Sequence, residues 1–107
     1  MGKVFLVVRA VVTDAARRAD FDRWYQAEHL PEAMKAFDVR RGIRCWSRTD
    51  PAVHYAVYEF PSVAEARRAE ESPAIGELIA AFDRAFPAVT RSREIIEIVQ
   101  ESDTASA

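Results

Sequence analysis

The chain has little of several residue types on which common functional sites depend. Of its 107 residues one is cysteine, Cys45, three are glycine and two are histidine. A single cysteine excludes an intrachain disulfide and a cysteine metal cluster, and it fits a reducing, cytoplasmic setting. The 15 Lys and Arg against 17 Asp and Glu leave a formal charge of −2, which removes the electrostatic argument for a nucleic-acid partner.

Cofactor motifs and long apolar runs are also missing from the sequence. It contains no Gly-rich phosphate loop, nucleophile elbow or nicotinamide fingerprint. The two histidines lack the ligand spacing of a metal site, so we expect neither a metal nor a cofactor. The apolar run 4–8 is too short for a signal peptide or a membrane span. We therefore predict a soluble cytoplasmic protein without a membrane partner.

The rest of the composition predicts one globular domain. Half of the residues are hydrophobic and 30% are charged, and a chain of this length holds one core but not two. We expect the domain to span residues 1–101. Residues 102–107 are small and polar and are predicted to form a flexible C-terminal tail.

Four segments have the alternation or the apolar runs of β-strands: 3–12, 39–49, 53–60 and 93–100. The turn signal Thr49-Asp50-Pro51 predicts a hairpin between the second and third strands. Gly42 predicts a bulge or a close backbone approach in the second strand. His54, beside the turn, is expected to be a surface residue at a strand start.

Two helical segments separate the strands. The first is expected to begin at its N-cap, Asp20. The second begins with a capping box of Ser62 and Glu65, restarts at Pro73 and carries an apolar stripe of Ile75, Leu78, Ile79, Phe82 and Phe86. The resulting order, β-α-β-β-α-β, predicts an α+β ferredoxin-like fold with a four-stranded antiparallel sheet and both helices on one face.

The predicted sheet has more apolar side chains than two helices can cover. Its first, third and fourth strands are apolar on both faces, and an uncovered apolar face would exceed the patch that monomers usually expose. A second copy of the chain is the economical cover. We therefore predict a homodimer formed through the sheet face away from the helices, with Ile96 and Ile98 among the inward-facing positions.

Residues 20–37 concentrate aromatic side chains, a histidine and carboxylates. At about 100° per residue, Phe21, Trp24 and Tyr25 share one buried face of a helix. Glu28 falls near the middle of that face, where a solvated carboxylate is not expected. Burial there would raise the pKa of its carboxyl group.

Pro31 is expected to end this helix near His29, because its ring clashes with the preceding turn, and to begin a second short helix. His29 would then lie at a helix C-terminus, where the dipole favours a charged imidazole and opposes the neighbouring Glu28 carboxylate. The pair is a candidate for general acid/base chemistry. The structural alternative is a helix-end histidine beside a carboxylate that pairs with an arginine such as Arg44.

The motif F-x-x-W-Y-x-x-E-H-L-P-E, at residues 21–32, resembles the helix-one motif of EthD-like proteins in the dimeric α/β-barrel superfamily. The resemblance implies a homodimer whose two sheets pack face to face as a barrel, with a small pocket beside the helix-one histidine, here His29. Members are linked to the breakdown of small organic compounds, and methylmuconolactone isomerases look like relatives. Other superfamily relatives are oxygenases and haem-degrading enzymes that rely on an asparagine with Trp and His, and this chain contains no asparagine.

Two function classes remain open. One is a small cofactor-independent enzyme, isomerase- or oxygenase-like, that acts on a lactone, quinone or aromatic-derived compound through His29 and Glu28. The other is a non-catalytic, homodimeric small-molecule-binding or accessory protein. In either class the candidate ligand contacts are aromatic rings and guanidinium groups: Trp24, Tyr25, Trp46, Arg9 and Arg44. The structural alternatives are dimer-rim salt bridges for Arg9, Arg44 and Trp46 and a buried core position for Tyr25. The discriminating observation is whether Glu28 and His29 face a cavity or a paired core.

Overall fold

A computed structural model describes residues 3–104, which form an antiparallel sheet with helices on one face. In chain order the elements are β1 (Val4–Val11), a 3₁₀ turn (Ala15–Arg17), α1 (Arg18–Trp24), a π turn (Tyr25–His29), α2 (Leu30–Phe37), β2 (Gly42–Trp46), β3 (Val53–Phe60), α3 (Val63–Glu71), α4 (Pro73–Ala85) and β4 (Thr90–Glu97). The strands lie in the order β2-β3-β1-β4, and each neighbouring pair is antiparallel. This confirms the predicted ferredoxin-like α+β fold.

Alternation along the strands separates the two faces of the sheet. Leu6 pairs with Tyr58, and Ala10 pairs with His54. Directly paired residues point to the same face, and these four side chains are all buried. The even-numbered residues of β1 and β3 therefore face the helices, and the core lies between this face and the helical layer.

The opposite face of the sheet carries a patch of half-buried apolar side chains. Phe5 pairs with Ile96, and Val57 pairs with both Val7 and Ile43. Ile96 is 42% exposed. Within residues 3–104 no helix covers these residues, which we call the open face. Nor is any helix of the described chain long and apolar enough to cross a membrane.

The first helical segment passes through Pro31 without a break, so the predicted helix end at His29 is wrong. Leu30 keeps helical dihedral angles, φ −64° and ψ −48°, and its N–H donates to the carbonyl oxygen of Tyr25, five residues earlier. Proline lacks the N–H that a regular α-helix would use, and its ring clashes with the carbonyl group four residues earlier. The wider π turn accommodates that mismatch, and the chain continues into α2.

Both ends of this helical segment have identifiable caps. Asp14 accepts a hydrogen bond from the N–H of Ala16 at 3.0 Å, so the segment begins at the 3₁₀ turn and the prediction of Asp20 as its N-cap is wrong. At the other end Asp38 adopts the left-handed conformation, φ 54°. The N–H of Val39 then donates to the carbonyl oxygen of Met34 at 3.1 Å, which closes the helix.

The second helical segment follows its sequence signals closely. Ser62 accepts from the N–H of Glu65 at 3.2 Å and caps α3, while Ser72 accepts from the N–H of Ala74 at 3.0 Å and caps α4. Gly42 marks a close approach of β2 to α2, because a Cβ there would lie 3.0 Å from the sulfur of Met34. Strand β4 begins three residues earlier than predicted. Residues 1–2 of the predicted domain and 105–107 of the predicted tail lie outside the described residues.

Candidate functional site

A stripe of buried residues recurs every four positions along the first helical segment. Phe21, Tyr25, His29 and Ala33 are all buried. In a regular α-helix a four-residue spacing advances by about 40° per step, so such a stripe would wind away from the sheet. The π turn corrects this drift and directs His29 toward the core. Turns of this kind are frequent at functional sites.

The same turn removes Glu28 from the place predicted for it. Glu28 is exposed, so the prediction that it lies on the buried aromatic face is wrong. That prediction applied about 100° per residue throughout, whereas a π turn rotates the chain less at each residue. Because α2 continues past His29, the argument from a helix C-terminus also fails. Arg44 does not pair with Glu28, since its partner is Asp22.

His29 is held among aromatic rings. Its imidazole stacks on the indole of Trp24, with centroids 4.5 Å apart, and meets Tyr25 edge-on at 4.9 Å and Phe82 at 5.5 Å. The residue is 7% exposed. Burial, assisted by the positive charge of Arg91, lowers the pKa of His29 from 6.5 to about 4. The imidazole is therefore neutral at neutral pH.

A pocket lies between the helices and the even-numbered face of the sheet. The room that it leaves for the centre of a water molecule measures about 40 Å³, and its whole empty space, including the open mouth, is about 400 Å³. This room holds a few water molecules, so an aromatic ligand would extend into the open mouth or displace lining side chains. The residues that line it are Leu6, Val8, Tyr25, His29, Ala33, Phe37, Tyr58, Ile75, Leu78, Ile79, Phe82, Arg91 and Arg93.

Two tyrosines and two arginines supply the other polar groups of this pocket, which we call the His29 pocket. The side chains of Tyr25 and Tyr58 hydrogen-bond to each other, and burial raises the pKa of both hydroxyls. Arg91 lies over the ring of Phe82, with its guanidinium carbon 4.0 Å from the centroid. The pocket thus presents hydroxyl and guanidinium groups around a neutral imidazole.

The predicted ligand contacts divide into three groups. Trp24 stacks on His29, and Tyr25 both touches His29 and lines its pocket, so the structure brings these predicted residues together. Arg44 and Trp46 lie on the helix-facing side of β2 but outside the lining of the His29 pocket. Arg9 lies on the open face, because its partner across the sheet is Tyr55. The sheet therefore separates Arg9 from His29.

Arg44 and Trp46 have a common partner in α1. The guanidinium of Arg44 and the indole N–H of Trp46, at 2.8 Å, both donate to Oδ1 of Asp22. These hydrogen bonds, with that of Trp46 the strongest cause, lower the pKa of the Asp22 carboxyl group against the opposing effect of burial. Arg44 also lies 5.6 Å from the ring centroid of Tyr25. This group joins β2 to α1 beside the site.

His54 is a buried polar residue that the sequence analysis placed wrongly on the surface. It is 0% exposed, and within residues 3–104 neither ring nitrogen has a hydrogen-bond partner. Burial, followed by the charge of Arg44, lowers the pKa of His54 to about 4. The alternation of β3 was the available signal, because His54 shares its face with Ala56 and Tyr58.

No group of three or more His, Cys, Asp and Glu side chains in residues 3–104 is arranged to hold a metal ion.

Among known sequences no family model matches the chain, and no curated protein matches it. Solved structures do match. A protein of the EthD (ethyl tert-butyl ether D) family from Bacillus halodurans has a TM-score of 0.71 at 13% identity, over 92% of this chain and 100% of that one.

The chain shares its fold with EthD-family and monooxygenase structures. A candidate antibiotic biosynthesis monooxygenase from Bordetella bronchiseptica has a TM-score of 0.71 at 19% identity, over 94% of this chain and 100% of that one. A variant of SnoaB, a cofactor-independent oxygenase from Streptomyces nogalater, has a TM-score of 0.65 at 19% identity, over 92% and 95%. The predicted resemblance to EthD-like proteins is thus confirmed at the level of the fold.

Proposed function

We propose that the protein is a small cofactor-independent enzyme that acts on a small organic compound by acid/base chemistry, with His29 as the proton-transfer group. The observation behind this proposal is that a nearly buried, neutral imidazole lines a pocket with apolar and aromatic walls. Such walls suit a lactone, a quinone or an aromatic-derived compound. The shared fold with SnoaB, a cofactor-independent oxygenase, adds support.

The proposed step is proton transfer at a carbon next to a carbonyl group. A neutral imidazole nitrogen of His29 accepts the proton, and the electron pair of the C–H bond moves to the carbonyl oxygen as an enolate. The charge of Arg91 acts on His29, and the same charge would stabilise the enolate oxygen. Return of the proton to another carbon completes an isomerisation. An oxygenase-like reaction would begin with the same proton loss and consume dioxygen.

The other predicted residues receive positioning roles in this proposal. Trp24 fixes the face of the imidazole, and Tyr25 closes the pocket beside it. Arg44 and Trp46 act through Asp22, which holds α1 against β2. Glu28 is exposed and does not line the His29 pocket, so it takes no part in the step.

We also propose that the protein is a cytoplasmic homodimer whose open faces pack together. The open face carries apolar side chains that include Phe5, Val57 and Ile96. Their burial would favour association by a free energy of about 25 cal/mol for each Å² of apolar surface removed from water. A C₂ axis pairs the same patch on both subunits and needs no other partner. Cys45 is a free, exposed thiol, which agrees with a reducing compartment.

Ligand screening by thermal shift, followed by product analysis, tests the proposed enzyme. Small lactones, quinones and hydroxy-aromatic acids would be offered to the parent protein, His29→Ala and Glu28→Gln. We expect some ligands to stabilise both the parent and Glu28→Gln. These two proteins should convert such ligands to product, and His29→Ala should not. Equal binding by all three proteins without turnover would overturn the proposal and favour the non-catalytic binding protein.

A further inference from the structure

Arg91, which lines the His29 pocket, has a buried side-chain nitrogen without a hydrogen-bond partner in residues 3–104. Its Nη2 donates to Oδ1 of Asp83 at 3.0 Å, on the rim. Its Nη1 is buried and has no partner within residues 3–104, and the side chain is 18% exposed. Leaving a charged donor buried and unpaired is costly, so a ligand acceptor that reaches this nitrogen through a small shift of the surrounding side chains would gain a hydrogen bond.

The charges around the His29 pocket are unbalanced. Arg91 and Arg93 both line it, and none of the described residues in its lining is Asp or Glu. The Asp83 side chain is 61% exposed and does not line the pocket. The charge of Arg91 nevertheless acts on groups inside, because it lowers the pKa of His29 and opposes the rise in the pKa of Tyr25. The interior is therefore electropositive and rich in donors.

We propose that the His29 pocket selects small organic anions and that Nη1 of Arg91 donates to the anionic oxygen of the ligand. This inference rests on the proposed function and names its substrate class, an apolar or aromatic ring that carries a carboxylate or a phenolate. Asp83 accepts from one of the two N–H groups of Nη2, so the contact assigned to the ligand is the hydrogen bond from Nη1.

An anion beside Arg91 also has a consequence for the proposed proton transfer. The positive charge of Arg91 contributes to the low pKa of His29, and a base with a pKa of about 4 is poorly matched to neutral pH. A bound anion would cancel part of that charge. Burial, the larger cause of the low pKa of His29, would remain, but the imidazole would be a stronger base beside the bound anion than beside Arg91 alone.

Calorimetric titration with three aromatic probes tests the proposal. Benzoate carries a carboxylate, benzamide is its neutral counterpart of similar shape, and a nitrophenolate carries the charge on a phenol oxygen. We expect at least one of the two anions to bind the parent about 10-fold or more tighter than benzamide. Whichever anion binds more tightly identifies the source of the anionic oxygen.

Variants of Arg91 and of its partner Asp83 should differ in their affinity for that anion. Arg91→Gln should weaken its binding by about 10- to 100-fold and leave benzamide unaffected. Asp83→Asn should bind the anion as tightly as the parent or more tightly, because it frees Arg91 from a competing carboxylate. Arg84→Gln, an exposed change of the same charge on α4, serves as the matched control and should bind as the parent does.

A structural role for the Arg91–Asp83 pair predicts a different pattern. Equal weakening by Arg91→Gln and Asp83→Asn, or equal affinity of the parent for benzamide and both anions, would overturn the anion site. If His29-dependent turnover of neutral compounds is then observed, the proposed enzyme function is still supported. Arg91-dependent anion binding without any turnover would support the anion site and contradict the enzyme. If Arg91→Gln does not fold, the affinity of Asp83→Asn for the anion tests the site.

Discussion

His29 and Trp24 form a stacked pair, with ring centroids 4.5 Å apart and 19° between the ring planes. Stacking holds an imidazole by its face and leaves the nitrogens on its edge unoccupied. In the described part of the chain no group forms a hydrogen bond with the imidazole of His29. The residue is therefore positioned by aromatic packing, and it lines the His29 pocket without a hydrogen bond from its imidazole to the described residues.

The two buried histidines make stability depend on pH. The pKa values of His29 and His54 are lowered from 6.5 to about 4. The unfolded chain therefore binds protons below pH 6.5 while the folded protein does not. The free energy of unfolding should be highest above pH 6.5 and fall toward pH 4, by about 3 kcal/mol for each histidine. Urea unfolding at intervals from pH 7.5 to 4 measures this loss.

His54→Leu separates the contribution of His54 from that of other groups. The substitution removes two buried nitrogens that lack partners in the described structure, so it should stabilise the protein by about 1 kcal/mol at pH 7. The gain over the parent should grow as the pH falls toward 4. A destabilised variant, or one with an unchanged pH profile, would show that His54 is paired in solution.

Asp22 should stabilise the junction of α1 and β2. Asp22→Ala removes the acceptor of Trp46 and Arg44, and the Arg44 side chain is 14% exposed. We expect a loss of about 1–3 kcal/mol in the free energy of unfolding and a red shift of tryptophan fluorescence. Asp20→Ala breaks an exposed ion pair with Arg23 on the same helix and should cost less than about 0.5 kcal/mol. Equal losses would contradict this assignment.

Local patterns in the sequence predict most of this fold. The capping box at Ser62, the hairpin turn at Asp50 and the stripe of α4 all depend on neighbouring residues, and each is present. The path of the first helical segment does not follow in the same way. Pro31 is compatible with a break or with a widened turn, and packing against the sheet decides between them.

The site was predictable only in part. The motif around His29 identified Trp24, Tyr25 and His29 as one cluster. A single-helix projection cannot represent a π turn, so it misplaced Glu28, although the four-residue spacing of the buried stripe was visible in the sequence. Arg91 comes from the last strand, and its place in the pocket depends on the register of β4 against β1, which no local pattern specifies.

Ile96 should lie at the centre of the proposed dimer interface. It is 42% exposed on the open face and pairs with Phe5. Sedimentation at micromolar concentration should show twice the 12.1 kDa chain mass for the parent and the single-chain mass for Ile96→Glu, since an unpaired charge cannot be buried between two apolar faces.

Ala80→Glu is the control for this experiment. Ala80 is exposed on α4, in the helical layer on the other side of the sheet, so the variant should sediment as the parent does. A monomeric parent, or Ile96→Glu that stays fully dimeric, would contradict the proposed interface.

Deuterium exchange into small carbonyl compounds tests proton transfer by His29 most directly. Compounds that stabilise the protein in the thermal-shift screen would be incubated in heavy water, and NMR would follow exchange at the carbon next to the carbonyl group. We predict that the parent and Glu28→Gln catalyse exchange and that His29→Ala, folded to the same melting temperature within a few degrees, does not. Equal exchange by His29→Ala and the parent, or no exchange by the parent with any compound that binds, would contradict the account.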